Sequence, residues 1–289
     1  MVFVCYSYFI FKMSGLKDSQ KVALTIAGSD PSGGAGIQAD LKTFTAIGVY
    51  SGAAISSLTI QNTQGVFAIQ PIDPALVKDQ IACVLSDLNV SHIKIGMLGS
   101  AAVAESIYDA LVNFSGEIIY DPVLVSSSGR QLIDLAGYDT IRDQFLKLCT
   151  VLTPNIPELS LLTNRDCINK DSCLAAAEIL LQQHENLRSV VITGGHCKNE
   201  TNSISDYLLT VPEPSRQVRL KEISHPRIAS HNTHGTGCTF SAAFTAYHLL
   251  TGDDTEAFHK ATGYMDALIK KSVPFKIGHG TGPLMHHLK

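Results

Sequence analysis

Short apolar runs alternate with helix-like segments along almost the whole chain, and this alternation limits the folds that it can adopt. Runs rich in strand-forming residues, such as 21–27 and 189–193, end in polar or glycine residues, and most lead into a segment of helical character. A helix between two strands returns the chain to the same end of a sheet, so such strands pair in parallel. The pattern predicts an α/β fold of three αβα layers, with a mostly parallel central sheet and helices on both faces.

No composition shift, linker or internal repeat divides the chain, so we expect a single domain over residues 21–289. Residues 1–20 are interpreted as an N-terminal extension. Its apolar beginning lacks the basic region of a signal peptide and is shorter than the ~20 residues of a membrane span. Two interpretations of the extension stay open: a start-site artefact with Met13 as the true start, or an arm packed on the surface.

The composition excludes several classes of function. Hydrophobic residues make up 45% of the chain and charged residues 17%, which is typical of a globular protein with a substantial core. The formal net charge of -4 gives no general attraction to nucleic acid or to an anionic membrane, so we expect neither as a partner. The seven cysteines form no CxxC pair, which favours a reducing cytoplasm and predicts no dedicated transition-metal site.

Polar or glycine residues follow the predicted strands at the point where each one ends. Ligands bind beyond the carboxyl ends of the strands in open parallel sheets, so we expect these residues on one shared rim. They are Gly28, Gln61, Gly96, Asp121, Asn155 and Gly194.

A glycine-bearing turn at 232–238 leads into an alanine-rich helical segment. The first N–H groups of a helix lack intrahelical partners, and together with the helix dipole they favour an anion. Gly235, Thr236 and Gly237 are therefore candidates for a phosphate cradle, and Cys238 would lie in the first turn, where a thiol loses its proton more easily. The alternative is a helix start that uses glycines as a turn and buries a cysteine.

The glycine loop at 28–36 matches neither of two well-known phosphate-binding motifs. Gly34 stands where a Walker A loop needs its lysine, and GxGxxG does not occur in register. Glycines still allow a flat ligand to approach the backbone closely. Asp40 falls one turn beyond Gly36 on the following helix, where it either reaches back to a ligand or lies on a solvated face.

Eight motifs in this order resemble the hydroxymethylpyrimidine/phosphomethylpyrimidine kinases of the ribokinase superfamily, over about residues 21–289. They are AGSDPSGGAGIQADLKTF (27–44), QNTQGV (61–66), KIGML (94–98), DPVLV (121–125), TPNIPE (153–158), GGH (194–196), NTHGTGCTFSAA (232–243) and GHGTGP (278–283). The resemblance implies a ribokinase-like fold. It also implies transfer of phosphoryl groups from ATP to 4-amino-5-hydroxymethyl-2-methylpyrimidine, and then to its monophosphate, in thiamine biosynthesis.

The resemblance also assigns residues to the two ends of a site. It implies a pyrimidine pocket lined by Gly28, Ala35, Asp40, Gln61, Met97 and Val123. It implies a Mg²⁺ and ATP region formed by Asn155, Glu158, Asp121 and Thr193. Asn155 and Glu158 also have the spacing of a helix capping box, and both roles are compatible.

Cys238 stands where most members of the superfamily carry the aspartate that removes the proton of the attacking hydroxyl, and the pyrimidine kinases carry cysteine there. The resemblance implies that Cys238 acts as the general base, while an inert protonated thiol is the alternative. Two residues depart from the family pattern. Thr193 and Ser127 occupy positions where lysine is common, which puts the turnover rate in doubt more than the substrate class.

Two other functions remain to be weighed against this kinase. A pyridoxal or pyridoxine kinase would use the same scaffold, although the flap DPVLVSSSG lacks the cysteine that some of those enzymes carry. A vitamin-precursor-binding protein without catalysis is favoured only by the two absent lysines. The family further implies a homodimer and a small-molecule substrate.

Overall fold

One mixed sheet of nine strands organises the described part of the chain. The computed structural model describes residues 20–125, 129–133, 135–196, 202–212, 214–215 and 217–288, so the predicted extension lies outside these ranges except for Gln20. The strands are β1 (Val22–Ser29), β2 (Ser51–Asn62), β3 (Gly65–Pro71), β4 (Val90–Ile95), β5 (Glu117–Tyr120), β6 (Val151–Leu152), β7 (Ser189–Ile192), β8 (Ser203–Thr210) and β9 (Arg219–Pro226).

The order of strands in the sheet is β3-β2-β1-β4-β5-β6-β7-β8-β9. The six central strands from β2 to β7 pair in parallel. The outer strands β3, β8 and β9 are antiparallel to their neighbours. Strands β8 and β9 form an antiparallel hairpin, and the sheet is mostly parallel as predicted.

Eight α-helices in the described residues cover the two faces of the sheet. They are α1 (Gly36–Ile47), α2 (Pro74–Asp87), α3 (Ala101–Leu111), α4 (Leu135–Asp143), α5 (Ile156–Thr163), α6 (Lys170–Gln183), α7 (Thr236–Thr251) and α8 (Asp254–Ser272). Helices α2 to α6 pack on one face, and α1, α7 and α8 pack on the other. This arrangement confirms the predicted three-layer αβα architecture.

The core follows from the two-residue period of the central strands. In β5, Ile118 and Tyr120 join the cluster under α2 to α6, while Ile119 faces α7 and α8. Residues of β7 divide between the two faces in the same way. Because both faces are covered, these strands are apolar along their whole length.

One predicted helix is interrupted. The sequence of 132–148 predicts a mostly helical segment, but α4 ends at Asp143 and a 3₁₀ turn at Phe145–Leu148 follows. Within the described residues, no helix is both long enough and apolar enough to cross a membrane.

Candidate active site

The carboxyl ends of the parallel strands open into a cavity of about 660 Å³. Thirteen of the residues predicted for the site or its rim line it: Gly28, Ala35, Gln61, Met97, Asp121, Val123, Asn155, Glu158, Thr193, Gly235, Thr236, Gly237 and Cys238. Gly96, Gly194 and Asp40 are not part of this lining, and Asp40 is completely buried beneath the cavity. The turns that follow the strands thus bring together segments that are distant in the sequence.

Asp30 organises the glycine loop that leads from β1 to α1. One of its carboxylate oxygens accepts hydrogen bonds from the backbone N–H groups of Gly34 and Ala35, and the other accepts from the N–H and hydroxyl of Ser32. Burial alone would raise the pKa of Asp30, but the hydrogen bonds from His234 and Ser32 lower it. The loop is therefore held around an ionised carboxylate.

Two glycine loops meet at the centre of the cavity. Gly235 has φ of 80°, in the left-handed region that glycine adopts readily, and a Cβ there would overlap the carbonyl oxygen of Gly34. A Cβ on Gly34 would in turn overlap the imidazole of His234. The close approach of the two loops explains why both positions are glycine.

Helix α7 begins at the second of these loops and presents its N-terminus to the cavity. In the described part of the chain, no side chain caps this helix, whose N-cap is Gly235. Its first N–H groups are thus available to an anion, as the sequence predicted. The thiol of Cys238, in the first turn, lies near the carboxylate of Asp121 and the backbone N–H of Gly36.

The prediction that the Cys238 thiol loses its proton easily is wrong for this cavity. Burial raises the pKa of the thiol to about 12, and the carboxylates of Asp121 and Asp40 add to the effect. The ammonium of Lys94 and the N–H of Gly36 act in the opposite direction and are outweighed. Desolvation and two nearby acids therefore exceed the influence of the helix N-terminus.

Asp40 belongs to a buried charge cluster instead of the predicted pocket wall. Its Oδ2 atom lies 3.1 Å from Nζ of Lys94 and accepts a hydrogen bond of 2.6 Å from the hydroxyl of Thr25. Asp40 lies on the face of α1 that packs on the sheet, where Lys94 of β4 supplies a cation. The solvated face is not observed, because the side chain of Asp40 is completely buried.

Lys94 was not among the predicted site residues. Its Nζ also lies 3.6 Å from Oδ2 of Asp121, so one cation joins a carboxylate beneath the cavity to one on its wall. Burial alone would lower the pKa of Lys94, but the carboxylates of Asp40 and Asp121 raise it, and the side chain stays protonated. The available signal was a lysine inside a short strand that is otherwise apolar.

Asn155 and Glu158 form the capping box that their spacing predicted. The backbone N–H of Glu158 donates to the Asn155 side chain at 3.0 Å, and the N–H of Asn155 donates to Oε2 of Glu158 at 2.9 Å. Burial and the neighbouring carboxylate of Asp121 raise the pKa of Glu158 well above its usual range. For Asp121, burial raises the pKa to about 6 despite the opposing effect of Lys94.

The far end of the cavity lies beyond Thr193, which pairs with Asn155 in an isolated parallel bridge. There His225 of β9 lies between two carboxylates, 3.2 Å from Asp206 and 2.9 Å from Asp266. Asp206 also accepts the N–H of Gly194 at 2.8 Å. Ser127, the second departure from the family pattern, lies outside the described residues.

Comparisons with known proteins agree with this architecture. Residues 30–285 match the sequence profile of the phosphomethylpyrimidine kinase family. A hydroxymethylpyrimidine/phosphomethylpyrimidine kinase of Haemophilus influenzae is 40% identical over 269 residues, which cover 92% of this chain and 96% of the relative.

Two crystal structures are also similar. The phosphomethylpyrimidine kinase of Clostridium difficile is 34% identical with a TM-score of 0.74, and the alignment covers 86% of this chain and 99% of that one. An ADP complex of Bacillus subtilis pyridoxal kinase is 32% identical with a TM-score of 0.80, covering 93% of this chain and 98% of that one. With a profile match over nearly its whole length and relatives at this identity, the chain belongs to the phosphomethylpyrimidine kinase family.

Proposed function

We propose that this chain is an ATP-dependent kinase that phosphorylates 4-amino-5-hydroxymethyl-2-methylpyrimidine and then converts the monophosphate into the diphosphate, in thiamine biosynthesis. The observation that carries the proposal is one cavity that joins the polar wall around Gln61 to the uncapped N-terminus of α7. Family membership supports the same activity. We also propose a cytoplasmic location, because the cytoplasm supplies ATP.

The wall formed by β1, β2 and β4 suits a flat aminopyrimidine. Gly28 and Met97 pack against each other at this wall, so the thioether offers a polarisable apolar contact for a ring. Gln61 supplies an amide that can donate and accept hydrogen bonds at the ring edge. Ala35 and Val123 complete the predicted set at this end of the cavity.

The turn at Gly235, Thr236 and Gly237 is proposed to hold the phosphoryl group during transfer. Its N–H groups would stabilise negative charge on the migrating group, which is the main task of a protein in phosphoryl transfer. The exposed backbone of Gly237 and the half-buried Thr236 leave this turn accessible from the cavity. The pyrimidine hydroxymethyl would point towards the same turn.

Cys238 is proposed to accept the proton of the attacking hydroxyl. Because burial raises the pKa of its thiol to about 12, the thiol has to pass its own proton on before it can act as a base. The Asp121 carboxylate, which accepts a hydrogen bond from the thiol, is the nearest acceptor for that proton. Proton transfer would then accompany phosphoryl transfer instead of preceding it.

The donor atoms near Asn155 fit a magnesium ion. Oδ2 of Asp121 is buried and makes no hydrogen bond within the described residues, and its carboxylate raises the pKa of Glu158. Oxygen ligands of this kind suit Mg²⁺, which keeps several waters and needs few protein ligands. Asp121, Asn155 and Glu158 would hold it, and bound Mg²⁺ would neutralise charge on the ATP phosphates.

The far end of the cavity is proposed to bind the nucleotide. The Bacillus subtilis structure is an ADP complex, and a Staphylococcus aureus pyridoxal kinase with a TM-score of 0.81 and 27% identity was also solved with ADP. In this chain Thr193 offers a hydroxyl but no charge to the phosphates. We therefore expect phosphate binding to depend strongly on the metal ion.

We also propose that the chain forms a homodimer through the β2–β3 edge of the sheet. Leu58, Ile60 and Phe67 are exposed there, with exposed fractions of 46%, 66% and 55%. Large apolar side chains grouped at a sheet edge are typical of a contact surface. Light scattering coupled to gel filtration should give twice the mass of one chain, and Ile60→Lys should lower it to one.

The test of the function is an ADP-release assay with two substrates. Purified protein with Mg-ATP should release ADP with the hydroxymethylpyrimidine and much less with pyridoxal. The reversed preference would favour a pyridoxal kinase, since this chain is also similar to the Bacillus subtilis pyridoxal kinase. No ADP with either substrate, together with binding of the pyrimidine in calorimetry, would favour a vitamin-precursor-binding protein.

A further inference from the structure

The glycine loop at 28–36, which Asp30 organises, is called the Asp30-centred loop. The imidazole of His234 links this loop to the cavity wall. Its Nε2 atom lies 2.8 Å from Oδ2 of Asp30 and 3.2 Å from the terminal amide of Gln61. The three side chains line the cavity together. His234 thus stands between a carboxylate and the residue that is proposed to contact the ring edge.

The surroundings of Asp30 determine which atom carries the hydrogen. Its carboxylate already accepts four hydrogen bonds, at 2.7 to 3.1 Å, from the Asp30-centred loop. A carboxylate in that setting is an acceptor only, so Nε2 of His234 is the donor. An N–H group cannot accept a hydrogen bond from the NH₂ group of Gln61.

The amide of Gln61 therefore has one favourable rotamer. A half-turn about its last bond exchanges nitrogen and oxygen, and the rotamer with oxygen towards His234 avoids the contact between two N–H groups. In that rotamer the amide nitrogen takes the position of Oε1, the atom that lies 3.1 Å from Oγ1 of Thr59. The hydroxyl of Thr59 donates to the carbonyl of Ser29 at 3.0 Å, so its oxygen is left to accept.

We propose that His234 is a positioning residue which, held by Asp30, locks the Gln61 amide and makes the pocket select an amino-bearing pyrimidine over its oxo analogue. The inference rests on the proposed function. An aminopyrimidine edge offers a donor beside a ring-nitrogen acceptor, and a 4-oxopyrimidine edge offers the reverse order. A freely rotating amide matches either edge by turning over, whereas a locked amide matches one.

The experiment compares two ligands across four proteins. Dissociation constants for 4-amino-5-hydroxymethyl-2-methylpyrimidine and its 4-oxo analogue are measured by calorimetry without ATP, and kcat/KM is measured for both. The variants are His234→Leu, which removes the donor, and His234→Gln, whose side-chain nitrogen can still donate to Asp30. His231→Leu, at an exposed neighbouring histidine outside the cavity lining, is the matched control.

Wild-type protein and His231→Leu should favour the amino ligand on the order of 10²-fold or more, because a wrong edge leaves buried polar groups unpaired. His234→Leu should reduce that preference at least ~10-fold, and His234→Gln should restore most of it. ADP affinity and thermal midpoint should change little and confirm folding. Should His234→Leu unfold, His234→Asn, whose side chain is too short for the contact, replaces it.

Two results would overturn the proposal. An unchanged amino-to-oxo ratio in a folded His234 variant would show that the amide is not locked by this residue, even if kcat fell. A loss in His234→Gln as large as in His234→Leu would show that the hydrogen bond to Asp30 is not responsible. Absence of phosphoryl transfer to the aminopyrimidine by the wild-type protein would instead contradict the proposed function.

Discussion

Nζ of Lys94 lies 3.1 Å from Oδ2 of Asp40, and neither side chain is exposed to solvent. The pair connects β4 to α1 directly beneath the cavity, and the same ammonium lies 3.6 Å from Oδ2 of Asp121 on the cavity wall. The buried ion pair of Lys94 and Asp40 thus lies against Asp121, a residue of the candidate active site. The arrangement links the packing of α1 on the sheet to the electrostatics around Cys238.

Lys94→Met should destabilise the fold by about 3–5 kcal/mol, because it leaves a buried carboxylate without its cation. Urea denaturation of the nucleotide-free protein measures this loss. The matched control is Lys78→Met, which removes an exposed pair with Asp109 and should cost at most about 1 kcal/mol. The double variant Lys94→Met/Asp40→Asn should lose less than the sum of the single variants. Strict additivity would contradict a direct interaction.

Cys238→Ala should lower kcat by ~10²–10⁴-fold, the usual contribution of a positioned general base. The dissociation constant of the pyrimidine should stay within about threefold, because the thiol is proposed to act on the reacting proton and the pocket wall is unchanged. Steady-state kinetics and calorimetry provide the two readouts. Cys83→Ala, at an exposed cysteine, should leave both unaffected. Full activity of Cys238→Ala would remove the assignment.

Gly235→Ala should both destabilise the protein and abolish turnover. The substitution places a Cβ against the carbonyl oxygen of Gly34 and forces a left-handed φ of 80° on alanine, which costs about 1–2 kcal/mol before the overlap is counted. Gly263→Ala is the control, since a Cβ there meets nothing within 4 Å. As a helix-interior change it should stabilise the fold by roughly 0.5–1 kcal/mol. Thermal denaturation measures the stability of both variants, and the ADP-release assay measures their turnover.

A buried histidine pair should make the protein sensitive to acid. Nε2 of His92, near the start of β4, lies 2.9 Å from Nδ1 of His248, near the end of α7. Burial, and then the neighbouring His248, lower the pKa of His92 from 6.5 to about 4, and burial also lowers the pKa of His248. Between these pH values the unfolded chain binds more protons than the folded one.

Stability should therefore rise with pH between about 4 and 6.5 and decrease as the pH falls through that window. The shift of His92 alone corresponds to about 3 kcal/mol. Free energies of unfolding from denaturant titrations at pH 4.5, 5.5 and 6.5 should show this slope in the wild type. The slope should flatten in His92→Asn and persist in His259→Asn, an exposed control. An equal slope in all three proteins would exclude the pair as the cause.

Local sequence patterns determined much of the fold and part of the candidate active site. The alternation of strands and helices predicted the three-layer architecture, because periodicity reports which faces of each element are buried. The three-residue spacing of Asn155 and Glu158 predicted their capping box, since both hydrogen bonds form within one turn. The glycine turn before α7 likewise predicted an uncapped helix N-terminus with a cysteine beside it.

Tertiary structure alone decided the position of Asp40 and the protonation of Cys238. Packing between distant segments decides which face of α1 meets the sheet. It also brings Lys94 to Asp40 from a strand more than fifty residues away. The pKa of Cys238 is likewise set by burial and by the charges of Lys94, Asp121 and Asp40, which come from three other segments of the chain. Sequence spacing reports local hydrogen bonds well, but desolvation and electrostatic fields arise only when remote segments close around a group.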